Sequence, residues 1–208
     1  MHIGPSPLRA DLSAKIDQIV IGRPKSTASK STLIGAAGEH YVMWRLLRQG
    51  LIAALAPTGV PLADIIVTDD IGHRVSAIQV KTRSGKGADQ GWHMKAKHEE
   101  IVSETIFYVF VDFGAATFER EASCHVVPSA VVADVLRRSH RQWLGTPGRG
   151  GRAHKDHDMR RLLPDYDRMG LPIGCGSGWL EPYRDAWPLL HGDITHPTNT
   201  NSSEASRK

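Results

Sequence analysis

The sequence predicts an α/β domain built on a mixed central β-sheet flanked by helices. Three observations predict it: an amphipathic helix opens the folded region, short β-prone stretches separated by turns follow, and an almost wholly apolar strand precedes a further strand and a second amphipathic helix. With 208 residues, 40% hydrophobic and 23% charged, the chain can bury one domain core, which excludes a disordered acidic chain or a low-complexity fibre.

The first helix begins near Thr32, where Ser31 or Thr32 can cap it, and Gly50 can end it in a left-handed conformation. Leu33, Ala36, Ala37, Val42, Met43, Leu46 and Leu47 recur at helical spacing, and Gly35, Ala36 and Gly38 permit close packing on a sheet. Glu39 lies one turn before Val42 and Met43 and points toward the apolar side, where an acid is costly unless something pairs with it. Leu51–Ala56 is a short apolar strand ended by Pro57-Thr58-Gly59. Ala63–Thr68 and Arg74–Thr82 read as antiparallel strands across the tight turn Asp69–Gly72. Thr105–Val111 reads as a buried central strand and Ser123–Val127 as another. Pro128 then starts a helix that buries Ser129, Val131, Val132, Val135 and Leu136.

Around these elements, residues 1–30 form a polar, partly flexible segment with a short helix at Asp11–Ile21, and Arg23–Thr32 reads as a linker. A single domain is expected over 31–192, and residues 193–208 have almost no apolar content and are expected to be disordered. No apolar run approaches the roughly 18–20 residues of a membrane span, and the N-terminus lacks the apolar stretch of a secretory signal. Two cysteines, Cys124 and Cys175, are too few for a disulfide scaffold or a four-cysteine zinc site. The expected location is the cytoplasm.

Chemistry concentrates on the strand pair. Gln79 and Lys81 share one face of their strand, because strand side chains alternate. The turn at Asp69–Gly72 folds Asp64 back beside Gln79, and Glu39 can reach the same spot from the helix. Two acids, an amide oxygen and an ammonium suit a divalent metal, which takes oxygen ligands and keeps several waters. Asp64 would ligate directly, Gln79 through its side-chain oxygen, Val80 through its backbone carbonyl, and Glu39 through water or by orienting the lysine. Lys81 would stabilise charge developing on phosphate. The bland alternative makes Asp64 a turn-proximal acid and Lys81 a surface residue paired with Glu39.

In this order, GxxGE (Gly35–Glu39), AD (Ala63-Asp64) and QVK (Gln79–Lys81), the sequence resembles the PD-(D/E)xK nuclease superfamily, whose members include restriction endonucleases and Holliday junction resolvases. GEHYV resembles the resolvase-type branch. The resemblance covers about Leu33–Val111 and implies a restriction endonuclease-like fold, catalytic residues Glu39, Asp64, Gln79 and Lys81, and Mg²⁺- or Mn²⁺-dependent phosphodiester hydrolysis. Two departures stand out. Gln79 replaces the usual carboxylate, a Q-x-K variant that some members also carry, and Ala63 replaces the usual proline. Glutamine supplies an oxygen but no charge, so metal affinity should fall.

The charge distribution is compatible with a nucleic-acid partner. Net charge is +4. Arg137–Arg161 carries eight Arg/Lys residues with three histidines. Arg83, Lys86, Lys95 and Lys97 follow the motif strand, where Trp92 could stack on a base. Arg149, Arg152 and Lys155 are further candidate phosphate contacts. The bland readings are a solvated face for the charges and a packing anchor for Trp92. His154, Asp156 and His157 have metal-like spacing, but flanking Arg and Lys oppose a cation. Trp143, Trp179, Trp187 and Tyr183 are expected to cap the core. The leading expectation is a Mg²⁺-dependent endonuclease acting on nucleic acid, with DNA the expected polymer, no membrane partner, and a homodimer compatible with cutting two strands. The alternatives are a non-catalytic nucleic-acid-binding or scaffold protein whose site has decayed at Gln79, and an unrelated α/β interaction domain.

Overall fold

Helix α1 spans Lys30–Arg48 in the computed structural model, which describes residues 29–72, 74–85, 90–114 and 121–191. Its cap is Ser29, whose Oγ accepts the Thr32 N–H at 3.2 Å, a few residues earlier than Ser31 or Thr32. Gly50 ends the helix with φ +80°. The expected helix at Asp11–Ile21, most of the linker and the tail 193–208 lie outside the described residues. The chain divides into two compact units, Met1–Leu33 and Ile34–Lys208. The sheets and sites below belong to the second.

Strands β1 (Ile52–Leu55), β2 (Ile65–Thr68) and β3 (Val75–Arg83) form an antiparallel meander. After β4 (Trp92–Lys95), β5 (Ile106–Asp112) returns parallel to β3, and β6 (Ser123–Pro128) pairs antiparallel to β5. The five-stranded mixed sheet therefore has the order β1-β2-β3-β5-β6. Helix α2 (Ser129–Gly145) follows β6 directly, starting after Pro128. β7 (Met159–Leu162) pairs antiparallel with β4 in a second, two-stranded sheet. The fold class is mixed α/β, as the alternation of apolar strands and amphipathic helices dictates.

Period-two alternation divides the sheet's side chains between two cores. Ile65, Val67, Ile78, Val80, Val109 and Val111 pack with Val42 and Leu46 of α1, and Trp187 and Leu190 close that side. Tyr108 and Phe110 pack on the opposite side with Val132, Val135 and Leu136 of α2 and with Trp92, Met94 and Leu162 of the small sheet. Trp179 and Tyr183 border this second core, whereas Trp143 does not. No described helix is long and apolar enough to cross a membrane.

Candidate active site

β2 and β3 part at Asp64. The Asp64 N–H donates to the Ile78 carbonyl at 2.8 Å, and the Asp64 carbonyl turns away to accept the Ala56 N–H at 2.9 Å. The next β3 amide facing β2 is that of Val80, and the Asp64 side chain takes it: Oδ2 accepts the Val80 N–H at 2.7 Å. A central strand directs the N–H and C=O of alternate residues to the same neighbour. Val80's carbonyl therefore also faces the fork that β2 leaves open. Gln79 Nε2 donates to Oδ1 and Oδ2 of Asp64 at 3.3 and 3.2 Å. The amide thus presents its NH₂ to the carboxylate, and rotation by 180° about the terminal bond would exchange NH₂ for oxygen in the same place.

Glu39 arrives through a close approach. A Cβ built on Gly38 would overlap Thr82 Oγ1, so only glycine lets α1 sit this near β3. The following residue, Glu39, is partly buried near Asp64 and Lys81. Burial and then the Asp64 carboxylate push its carboxyl above the usual range, while His40 and Lys81 oppose them. Burial lowers the Lys81 ammonium, with Asp64 and Glu39 opposing and Lys97 adding to the fall. Asp64 and Gln79 are thus joined by hydrogen bonds, and Glu39 and Lys81 lie within electrostatic reach of Asp64. Two carboxylates, an amide and a backbone carbonyl are hard oxygen donors that fit Mg²⁺ or Mn²⁺, which need only one or two carboxylates when waters complete the shell. A cation at the fork would relieve the repulsion between the two acids. No group of three or more His, Cys, Asp or Glu arranged for a metal occurs among the described residues.

A cleft of about 620 Å³ opens beside Gln79 and Lys81, walled by His93, Lys97, His98 and Asp158. Its far wall is the short 3-10 turn Ala96–Glu99, anchored by the ion pair of Arg160 with Glu99 and by a 2.8 Å hydrogen bond between His98 Nδ1 and Tyr108 Oη. His98, His93 and Asp158 were not among the expected site residues. His93 lies on β4, where Trp92-His93-Met94-Lys95 alternates apolar and polar residues, whereas His98 sits on the 3-10 turn and Asp158 in the loop before β7.

Two expected nucleic-acid contacts are corrected. Trp92 is buried in the core, its Nε1–H donates to the Val111 carbonyl at 3.0 Å, and its face cannot meet a base. Arg83 is occupied within the protein: it lies 4.2 Å over the Trp92 ring and pairs with Asp112 at 2.6 Å. Lys95 is exposed beside Asp158 at 3.6 Å, and Lys97, Arg152 and Lys155 are exposed. Lys86 and the side chain of Arg149 lie outside the described residues.

No protein-family model matches the chain, and none of the curated proteins matches it in sequence. Among solved structures, the chain is similar to the bacterial homing endonuclease I-Ssp6803I at 15% identity and a TM-score of 0.43, covering 78% of this chain and 93% of that one. It is also similar to Hjc, a Holliday junction resolvase from the archaeal hyperthermophile Archaeoglobus fulgidus, at 14% identity and a TM-score of 0.36, covering 62% and 83%.

Proposed function

We propose that this chain is a metal-dependent nuclease of the PD-(D/E)xK superfamily, in its Q-x-K form, hydrolysing phosphodiester bonds in nucleic acid, with DNA the expected substrate. The observation that carries this reading is the hydrogen-bonded pairing of Asp64 with Gln79 where β2 and β3 part, with Lys81 and Glu39 in electrostatic reach. Asp64, the Gln79 oxygen and the Val80 carbonyl would hold Mg²⁺ or Mn²⁺, with Glu39 acting through water. A divalent ion at this fork supplies Lewis-acid polarisation of the phosphate and a more acidic water. Lys81, partly desolvated, directs its ammonium at the negative charge that grows on the phosphate oxygens. The exposed lysines of the cleft rim, Lys95 and Lys97, hold the polymer backbone. Two such sites would cut both strands of a duplex in one encounter, so a homodimer is compatible with this reading.

A second reading rests on Gln79 itself. Its NH₂ satisfies the Asp64 carboxylate without a cation, as expected of a site that binds nucleic acid but no longer cuts it. Incubation with plasmid, single-stranded and branched DNA, in Mg²⁺, in Mn²⁺ and with chelator, tests the proposal. Cleavage that needs metal and Asp64 supports it; binding with no cleavage in either metal leaves the second reading standing in its place.

A further inference from the structure

Beyond the catalytic cleft, the molecule has a cavity of about 420 Å³ between the C-terminal half of α2 and the chain that follows it. One wall is made of flat rings. Trp143 stacks on His154 with centroids 4.0 Å apart and 23° between planes. His140, one helical turn before Trp143, lies 5.5 Å from it at 24°, and His157 lies 5.3 Å away at a steeper tilt. The remaining wall joins apolar Leu163, Leu171 and Met159 with Arg160 and Arg161.

Packing does not require this arrangement. Trp143 belongs to neither core. The imidazoles do not form a metal-ligand group among the described residues, and the ring of His140 is oriented by Asp156 at 2.8 Å. A half-buried stack of an indole and imidazoles beside apolar walls has the character of a platform for another flat heteroaromatic ring. Its place selects which ring. Met159 lines both this cavity and the cleft of Gln79 and Lys81. It also pairs with Lys95 across the small sheet. Through Met159, which is exposed, the two recesses share a wall, so a polymer whose phosphate lies beside Lys81 reaches the cavity by crossing that one residue.

From this continuity we infer that the Trp143 cavity receives one unpaired nucleobase of the nucleic acid held in the cleft. A base inside a duplex has both faces stacked and cannot enter a recess. The occupant must come from a single-stranded extension, a branch or an extruded nucleotide. The inference rests on the nuclease reading above and deepens it: the preferred substrate carries unpaired nucleotides beside the scissile position.

The test compares a paired duplex with the same duplex bearing a short single-stranded extension that contains 2-aminopurine, with the full chain and in chelator. The extended oligonucleotide should bind about tenfold tighter, and its 2-aminopurine fluorescence should change on binding. Trp143→Ala should bring the affinity ratio close to one. His154→Ala, which removes the stacked partner without emptying the helix face, should do the same if the first variant does not fold. Equal affinity for both oligonucleotides, or unchanged 2-aminopurine fluorescence, overturns the inference even when Asp64-dependent cleavage is intact. Binding to neither oligonucleotide overturns the inference and the nuclease reading together. Preference for the extension in a protein that cuts nothing supports the cavity and removes the nuclease reading alone.

Discussion

Asp64 and Val80 are joined across the fork of the sheet: the carboxylate of one accepts the backbone N–H of the other at 2.7 Å. The side chain therefore has a structural duty beside any chemical one, and the two can be separated. Asp64→Asn keeps an acceptor for the Val80 N–H but loses the charge. It should melt close to the parent while cleavage falls by about a thousandfold or more, because charge stabilisation of phosphoryl transfer is worth several kcal/mol. Asp64→Ala should lose cleavage and also about 1–2 kcal/mol of stability from the unpaired amide. Cleavage rates and thermal melts of the pair decide this; full activity in Asp64→Asn removes Asp64 from the site.

Gln79→Glu places a carboxylate where an NH₂ now lies 3.2 Å from Asp64 Oδ2. Without a cation the two acids repel, so the melting temperature in chelator should drop. Mg²⁺ should restore it, with a larger metal-induced rise than in the parent, since the added charge strengthens the site by roughly tenfold in affinity for each ~1.4 kcal/mol gained. A lowered melting temperature with no response to Mg²⁺ would reject the metal site.

Gly38→Ala forces a Cβ onto Thr82 Oγ1. Overpacking of this kind costs about 1–3 kcal/mol and should shift Glu39 away from Lys81. Thr82→Ala in the same chain removes Oγ1 and Cγ2 but leaves the Thr82 Cβ 2.9 Å from the new methyl, so it should recover part of the loss. Denaturant titration of the two single variants and the double variant measures the coupling; strict additivity would show that the helix does not bear on the strand here.

Burial, with Lys81 and Lys97 beside it, pulls the His98 imidazole from 6.5 down to about 4. Below pH 6.5 the unfolded chain takes up a proton that the folded chain refuses. The contribution of His98 is thus whole above that pH and lost as pH falls toward about 4. By about pH 5 the loss reaches about 2 kcal/mol. His98→Gln should flatten this part of the stability profile, measured by denaturant unfolding between pH 7 and about pH 5. An unchanged slope would mean that His98 is protonated within the fold.

Binding should weaken steeply with salt, with a log–log slope near −0.9 for each duplex phosphate neutralised. Lys97 on the cleft wall and Arg152 outside it are both exposed. Removing each should reduce the slope by about 0.9, alike on all sequences. Binding that ignores salt would argue against a phosphate interface on this face.

What the amino-acid order determines here is local or nearly so. Helical spacing from Leu33 to Leu47 and the β-prone runs around Asp64, Gln79 and Tyr108 produce α1, β2, β3 and β5 within a residue or two, because periodicity acts over neighbours. The turn at Asp69–Gly72 brings Asp64 and Gln79 together at short range, so the centre of the candidate site was legible as well. Tertiary structure decided the rest. β4 finds β7 across the whole of β5, β6 and α2, pairing Trp92 with Leu162, and no local pattern encodes a partner that distant. That pairing buries Trp92, which composition alone would leave free to stack on a base, and sets His98 against Lys81. It also brings Met159 to the border of both cavities. The ring stack of Trp143 with His140, His154 and His157 is likewise a product of chain return: α2 supplies two members, the following loop the others, and only packing in three dimensions closes the set.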